Sequence, residues 1–217
     1  MNSVLCWKRA TARAALLSLA LAPVCAVGVV AAAEATAEKR AMTAETLSLP
    51  KRKQTSLGLY VTAKEAYEKW KAAPDKVKVI DVRTPEEYAF VGHPEMAWNI
   101  PFAFVTYQRK NGKTEYGPTM NPDFVAEVKT IAKPNDILLV TCRSGDRSAR
   151  AVDMLAAAGF TNAYTVVDGV EGDKVTDPEN VFYGKRMKNG WKNSAPWIYT
   201  IDPEKIILEE AASNQSQ

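Results

Sequence analysis

ILLVTCRSGDRS, at residues 137–148, joins an apolar run to a short polar loop. The aliphatic and β-branched run at 137–141 is typical of a buried strand. Residues 148–158 carry apolar side chains at helical spacing and are followed by Gly159, as at a helix carboxyl end. Cys142 is therefore predicted to open a tight turn from a strand into a helix. At such a turn, backbone N–H groups and the positive end of the helix dipole face the sulfur.

The residues around Cys142 predict a reactive thiol. Arg143 and Arg147 lie within five residues of it, and positive charge favours the thiolate, which is the nucleophilic form. His93 is the only histidine of the chain and is expected to be a turn or capping residue, so no Cys–His pair is predicted. The thiolate must then be stabilised by backbone dipoles and arginine. An inert core thiol is the alternative, and the flanking arginines argue against it.

The N-terminus has the order of a secretory signal. Lys8, Arg9 and Arg13 precede an uncharged apolar run at 14–33, and small residues follow it. The run is long enough to cross a bilayer if uncleaved. Pro23, Gly28 and the many alanines of the run favour cleavage, which we place within 33–37. The expectation is a signal peptide at 1–33, a periplasmic location, and no membrane association after cleavage.

Export changes the balance of charge and cysteine. Loss of the three basic residues in 1–33 leaves 25 basic and 25 acidic residues, so no nucleic-acid partner is predicted. Cys6 and Cys25 leave with the signal, so Cys142 has no partner for an internal disulfide. One histidine and one cysteine cannot build a soft-ligand metal site, and no cofactor is predicted.

The mature chain is predicted to contain one domain. Residues 34–57 are expected to form a linker or loosely ordered arm, 58–212 the domain, and 213–217 a disordered tail. Strands are predicted at 77–81, 97–100, 137–141 and 163–167, alternating with helices that begin near Thr62, Thr84, Asn121 and Ser148. This order predicts an α/β fold with a parallel sheet, helices on both faces, and a site at the carboxyl strand ends.

Several motifs together resemble the single-domain rhodanese family. They are Asp81-Val82-Arg83, Glu86-Glu87-Tyr88, Gly92-His93, Asn99-Ile100-Pro101, the loop at 142–148, and the trailing Asn189-Gly190-Trp191-Lys192 and Pro196-Trp197. The resemblance covers roughly 60–198. It implies a sulfurtransferase in which Cys142 takes a sulfane sulfur from a small anionic donor such as thiosulfate. The sulfur would be held as a persulfide and passed to a thiol, cyanide or protein acceptor.

The resemblance also implies roles for individual residues. Asp81 and Arg83 are expected to order the loop rather than to take part in chemistry. Arg143 and Arg147 either contact the donor or brace the loop against carboxylates such as Asp81. Asp146 leaves the loop with a net charge of about plus one, which weakens the case for a dianionic donor. The predicted substrate-binding residues are Arg143, Ser144, Gly145, Asp146, Arg147 and Ser148.

Two longer segments interrupt the pattern of the family. Asn111-Gly112 is a two-residue hairpin signal within 106–116, and a second expansion covers 168–193. Either segment is hypothesised to wall the site and select the acceptor.

Two other functions stay open at this point. One is a persulfide carrier or binding module that serves a dedicated protein partner. The other is a cysteine-dependent phosphatase or arsenate reductase on a related fold. Loops of that kind place an arginine six positions after the cysteine, whereas Ser148 holds that position here and Arg147 is the fifth. The shorter spacing suits a single sulfur atom better than a tetrahedral oxyanion.

Overall fold

The computed structural model describes residues 49–207, so the predicted signal peptide, most of the predicted linker and the predicted tail lie outside the described residues. The strands are β1 (Tyr60–Val61), β2 (Val77–Asp81), β3 (Ala97–Asn99), β4 (Ala103–Lys110), β5 (Lys113–Met120), β6 (Ile137–Thr141), β7 (Ala163–Val166), β8 (Asp173–Lys174) and β9 (Arg186–Lys188). The helices are α1 (Ala63–Ala72), α2 (Pro85–Val91), α3 (Phe124–Ile131), α4 (Asp146–Ala157) and α5 (Trp191–Ser194). In this described part of the chain, no helix is both long and apolar enough to reach across a lipid bilayer.

A parallel sheet forms the centre of the described region. Five strands lie in the order β1-β7-β6-β2-β3, and each neighbouring pair is parallel. The carboxyl ends of parallel strands meet at one edge, and Asp81 at the end of β2 is the register partner of Thr141 at the end of β6. The residues that follow β2 and β6 are therefore neighbours. The predicted α/β fold with a parallel sheet is confirmed.

Helices cover both faces of this sheet, as predicted. Ile80 and Val140 belong to a buried cluster with apolar side chains of α3 and α4. Val79 and Leu139, one position away on the same strands, belong to a second cluster with side chains of α1, α2 and α5. Successive side chains of a strand point to opposite faces, so each central strand contributes to both cores.

Two additions follow strands at the carboxyl edge of the sheet. The antiparallel pair β4–β5 comes after β3, and its turn residues Asn111 and Gly112 have φ of 52° and 74°. Positive φ at both positions is what a two-residue type I′ hairpin requires, so the predicted hairpin is present. The second addition follows β7 and contains the short antiparallel pair β8–β9, which the sequence patterns did not predict.

The start of the described chain is packed against the domain. Residues Lys51–Lys53 form one turn of 3-10 helix, and Lys53 is buried with its ammonium donating to the carbonyl of Val167 at 2.8 Å. Ser56 donates from both its backbone N–H and its hydroxyl to Asp153 on α4. The described part of the predicted linker, residues 49–57, is thus held by specific contacts to α4 and to the end of β7.

Candidate active site

Cys142 lies between β6 and α4, at the predicted turn from strand to helix. Its side chain is buried, with the residue 2% exposed. The backbone N–H of Gly145 donates to its Sγ at 3.2 Å, and Sγ lies 3.6 Å from the hydroxyl of Ser148. Gly145 is the N-cap of the twelve-residue helix α4, so the sulfur lies at the positive end of the helix dipole. The Gly145 N–H and the helix dipole stabilise negative charge on the sulfur, whereas the Ser148 hydroxyl donates to the carbonyl of Gly145 and accepts from Sγ.

Glycine is required at two positions where this turn meets the segment that follows β7. Gly145 has φ of 102°, and a Cβ there would overlap the carbonyl oxygen of Val167. Gly169 has φ of 64°, and a Cβ there would lie 2.5 Å from the carbonyl oxygen of Cys142. The backbone of the cysteine loop therefore packs directly on the backbone that follows β7. Side chains would hold the two segments apart.

Backbone hydrogen bonds join those two segments. The N–H of Val170 donates to the carbonyl of Cys142 at 2.8 Å, and the N–H of Glu171 donates to the carbonyl of Arg143 at 3.0 Å. The carbonyls of Cys142 and Arg143 are thus bound by the N–H groups of residues 170–171. We call residues 169–171 the backbone clamp.

Arg147 makes a two-pronged ion pair with Glu87 of α2. Its Nη1 and Nη2 donate to the two carboxylate oxygens at 2.5 and 2.6 Å, and both side chains are about one quarter exposed. Burial works to raise the pKa of Glu87, but the hydrogen bonds and charge of Arg147 outweigh it and hold that pKa below its ordinary value. Burial works to lower the pKa of Arg147, and Glu87 and Cys142 outweigh it in the other direction. Arg147 therefore braces the loop, with Glu87 as its partner.

The sequence reasoning offered Asp81 as a bracing partner and missed Glu87. In the structure, the Asp81 carboxylate is engaged by Arg83 through Nε at 2.9 Å and Nη2 at 2.6 Å, and both side chains are fully buried. Burial works to lower the pKa of Arg83, and the charge of Asp81 outweighs it. Arg83 Nη2 also donates to the carbonyl of Gly92, so the pair ties the end of β2 to the end of α2.

The other charged residues of the loop lie nearer solvent. Arg143 is exposed, and within residues 49–207 no carboxylate lies within ion-pair distance of it. Asp146, at the first position of α4, binds Arg52 at 2.9 Å in an exposed pair. Ser144 is half-buried, whereas Ser148 is buried and donates to the carbonyl of Gly145 at 3.1 Å. The six predicted substrate-binding residues thus lie in one turn around Cys142, and Arg143 is the unpaired cation of that turn.

His93 lies in the core rather than at an open turn. It is 1% exposed, its ring stacks on Tyr88 with centroids 3.6 Å apart, and its Nδ1 contacts the carbonyl of Pro94 at 3.1 Å. Burial lowers its pKa, so the imidazole is neutral near pH 7. No hydrogen bond joins it to Cys142 among the described contacts. Within residues 49–207, no cluster of three or more His, Cys, Asp or Glu side chains could hold a metal ion.

A buried cysteine at a strand-to-helix turn, with its sulfur facing a loop N–H group, is the geometry of a candidate cysteine nucleophile. Residues 62–174 match the rhodanese-like domain. The chain belongs to the rhodanese-like domain family. The predicted family resemblance is confirmed.

Three relatives match this chain over part of its length. Thiosulfate sulfurtransferase 16, chloroplastic, of Arabidopsis thaliana is 36% identical over 92 residues, which cover 42% of this chain and 69% of that protein. Senescence-associated protein DIN1 of Raphanus sativus is 34% identical over 92 residues, or 42% of this chain and 45% of that protein. Protein HIGH ARSENIC CONTENT 1, mitochondrial, of Arabidopsis thaliana is 42% identical over 79 residues, or 36% of this chain and 41% of that protein. The match thus spans less than half the length of the last two relatives.

A solved structure has a similar fold. The crystal structure of Rv0390 from M. tuberculosis is similar with a TM-score of 0.50 and 30% identity, covering 64% of this chain and 96% of that chain. The family is of the sulfurtransferase type, since it includes thiosulfate sulfurtransferases.

Proposed function

We propose that this protein is a sulfurtransferase that moves a sulfane sulfur through a persulfide on Cys142. The observation that carries the proposal is the contact of the Gly145 N–H with Sγ, 3.2 Å long, at the amino end of α4. This arrangement favours a thiolate before transfer and offers donors to an anionic sulfur after it.

The transfer balances without any further reactant. The Cys142 thiolate attacks the outer sulfur of a donor such as thiosulfate, an S–S bond forms, and the donor's own S–S bond breaks. Sulfite leaves with the electron pair, and the negative charge of the thiolate passes to the outer sulfur of the persulfide. An acceptor such as cyanide then attacks that outer sulfur and leaves as thiocyanate, which restores the thiolate.

The amino end of α4 would stabilise the persulfide. The first N–H that donates within the helix is that of Ala149, which bonds to the carbonyl of Gly145 at 3.2 Å. The N–H groups of Asp146, Arg147 and Ser148 come before it, at positions where a helix has no internal acceptors. A bound anion at this end is favoured by those groups and by the helix dipole.

Two alternative functions differ from the proposed one in the reaction of Cys142 or in its turnover. A carrier for a protein partner would form the same persulfide but turn over poorly with small acceptors. An arsenate reductase or phosphatase would instead use Cys142 to attack an oxyanion, and one relative carries arsenic in its name. The pairing of Arg147 with Glu87 argues against the oxyanion reaction, because that guanidinium is already bound by a carboxylate.

Export to the periplasm belongs to the same proposal. It is supported by the basic, apolar and small residues in succession at the N-terminus, which precede the described residues. Expression of the full chain in a Gram-negative host, followed by fractionation and N-terminal sequencing, tests it. A new N-terminus within 33–37 in the periplasmic fraction is expected. An uncleaved chain in the cytoplasm would refute it.

The proposed reaction is tested by intact mass of the full chain before and after thiosulfate, and again after cyanide. We expect a gain of one sulfur that cyanide removes with release of thiocyanate. Cys142→Ser is the matched control, since it keeps Cys6 and Cys25 and loses only the proposed nucleophile. It should fold, gain no sulfur and release no thiocyanate.

Other outcomes redirect the assignment. A stable persulfide without repeated turnover would support the carrier. No sulfur gain, together with reduction of arsenate or hydrolysis of an aryl phosphate that depends on Cys142, would replace the proposal with oxyanion chemistry.

A further inference from the structure

Most of the charged side chains near the cysteine are paired with one another. Three ion pairs lie at or next to the loop: Asp81–Arg83, Glu87–Arg147 and Asp146–Arg52. Arg143 has no carboxylate within ion-pair distance among the described residues. Lys53 and Glu171 lie against the loop without an ion pair among the described residues, and their charges cancel. The set therefore has a formal charge of plus one, and a thiolate on Cys142 brings it to zero. The site with an ionised Cys142 therefore has no net positive charge to attract a dianionic donor.

We infer that Glu87 is a positioning residue that sets the charge of the accepted sulfur donor, by holding the Arg147 guanidinium in an ion pair. This inference rests on the proposed sulfur transfer. A site neutralised in this way discriminates against dianions such as thiosulfate. It favours donors that carry the sulfane sulfur with a single negative charge, such as persulfides and thiosulfonates.

The ion pair needs the charge of Glu87, whereas the helix cap does not. Glu87 also completes the capping box of α2: its Oε2 accepts the N–H of Thr84 at 3.1 Å, and its N–H donates to the Thr84 hydroxyl at 3.3 Å. A glutamine serves a capping box as well as a glutamate does. The carboxylate is thus in excess of what α2 requires. Its lowered pKa keeps it ionised at neutral pH against Arg147.

The chain provides a matched control beside it. Glu86 lies in the same first turn of α2, is exposed, and makes no ion pair within the described part of the chain. Glu86→Gln removes the same charge one residue away and leaves Arg147 paired. Any effect of net charge or of the helix dipole appears in both variants. An effect on the Arg147 guanidinium appears only in Glu87→Gln.

The first test compares donors of different charge. KM and kcat are measured for thiosulfate, a dianion, and benzenethiosulfonate, a monoanion, with cyanide as acceptor. Removing one negative charge near the donor should lower KM for thiosulfate about tenfold in Glu87→Gln, and for the monoanion about threefold. In Glu86→Gln both should stay within about twofold, because that carboxylate is exposed and screened. Maximal rates with a fixed donor should change little.

A second readout is independent of sulfur transfer. Cys142 is alkylated with anionic iodoacetate and with neutral iodoacetamide, and the ratio of the two rates reports the charge around the sulfur. Cys142→Ser gives the background from Cys6 and Cys25. The ratio should rise several-fold in Glu87→Gln and stay unchanged in Glu86→Gln.

The two readouts separate the two claims. An unchanged thiosulfate KM in a folded Glu87→Gln variant that still forms the persulfide would overturn the inference alone. Absence of any Cys142 persulfide with both donors would overturn the proposed function, and the alkylation ratio would still test the electrostatic role of Glu87. If Glu87→Gln does not fold, the inference is tested by the salt dependence of the wild-type protein. Its thiosulfate KM should be nearly independent of salt, and a steep rise with ionic strength would refute a neutralised site.

Discussion

Replacement of Gly145 by alanine should damage both the fold and the site. An ordinary residue at strongly positive φ costs about 1–2 kcal/mol, and Gly145 stands at 102°. The added Cβ would also overlap the carbonyl oxygen of Val167 and lie 3.2 Å from Cδ of Lys53, so the backbone of the loop must move. Overpacking of this kind costs about 1–3 kcal/mol. The expected loss of unfolding free energy is therefore roughly 2–5 kcal/mol.

Gly159 supplies the control for backbone conformation alone. It follows the other end of α4 at φ of 95°, and nothing lies within 4 Å of a Cβ built there. Gly159→Ala should thus cost only the conformational part, about 1–2 kcal/mol. Urea unfolding of both variants measures the difference, and thiosulfate-dependent mass gain measures the effect on Cys142. If the two variants lose equal stability, or if Gly145→Ala loads sulfur at the wild-type rate, the close packing of this turn is not what positions the sulfur.

Three further predictions follow from other contacts. Asp81→Asn leaves the buried Arg83 without its carboxylate and should lower the free energy of unfolding by about 3–5 kcal/mol. Arg52→Gln breaks an exposed pair and should lower it by under about 1 kcal/mol. Urea unfolding measures both, and similar losses in the two variants would contradict this reasoning. Because burial lowers the folded pKa of His93, the unfolding free energy should fall as pH drops below 6.5, by at most about 1.4 kcal/mol per pH unit and only down to the folded pKa. His93→Phe should flatten this dependence of the unfolding free energy on pH, and an unchanged slope would show that another group causes it. Replacing 106–117 by Asn-Gly should leave sulfur loading by thiosulfate intact, since no described hydrogen bond joins residues 106–117 to Cys142, and loss of loading would refute this.

Local patterns predicted the central elements well. The apolar run before Cys142, the glycine after α4 and the Asn-Gly turn each depend on neighbours in sequence, and the structure has strand, helix and hairpin at those places. The two-residue strand β1 was missed because it is too short to show a period. The β8–β9 pair was missed because its strands are short and separated by eleven residues of loop-like composition.

Contacts between residues that are distant in sequence could not be predicted from local patterns. Arg147 had several carboxylates available, and nothing in local spacing selects Glu87, sixty residues away, over Asp81. A signal did exist, since Thr84 and Glu87 have capping-box spacing and place that carboxylate at the start of α2. The burial of His93 also depends on a distant segment, because Ile198 pairs with its backbone.

The backbone clamp has a consequence for how this family member can diversify. Val170 and Glu171 hold the carbonyls of Cys142 and Arg143 through their N–H groups, so these hydrogen bonds need no particular side chain, while the buried Val170 side chain packs in the core. Gly169 is the exception, because its missing side chain makes the approach possible. The segment that begins at Gly172 leaves the reaction centre through this main chain and returns to the core at the fully buried Trp191. The exposed stretch between them, residues 176–185, is therefore where length and sequence can change while the chemistry at the sulfur is inherited unchanged.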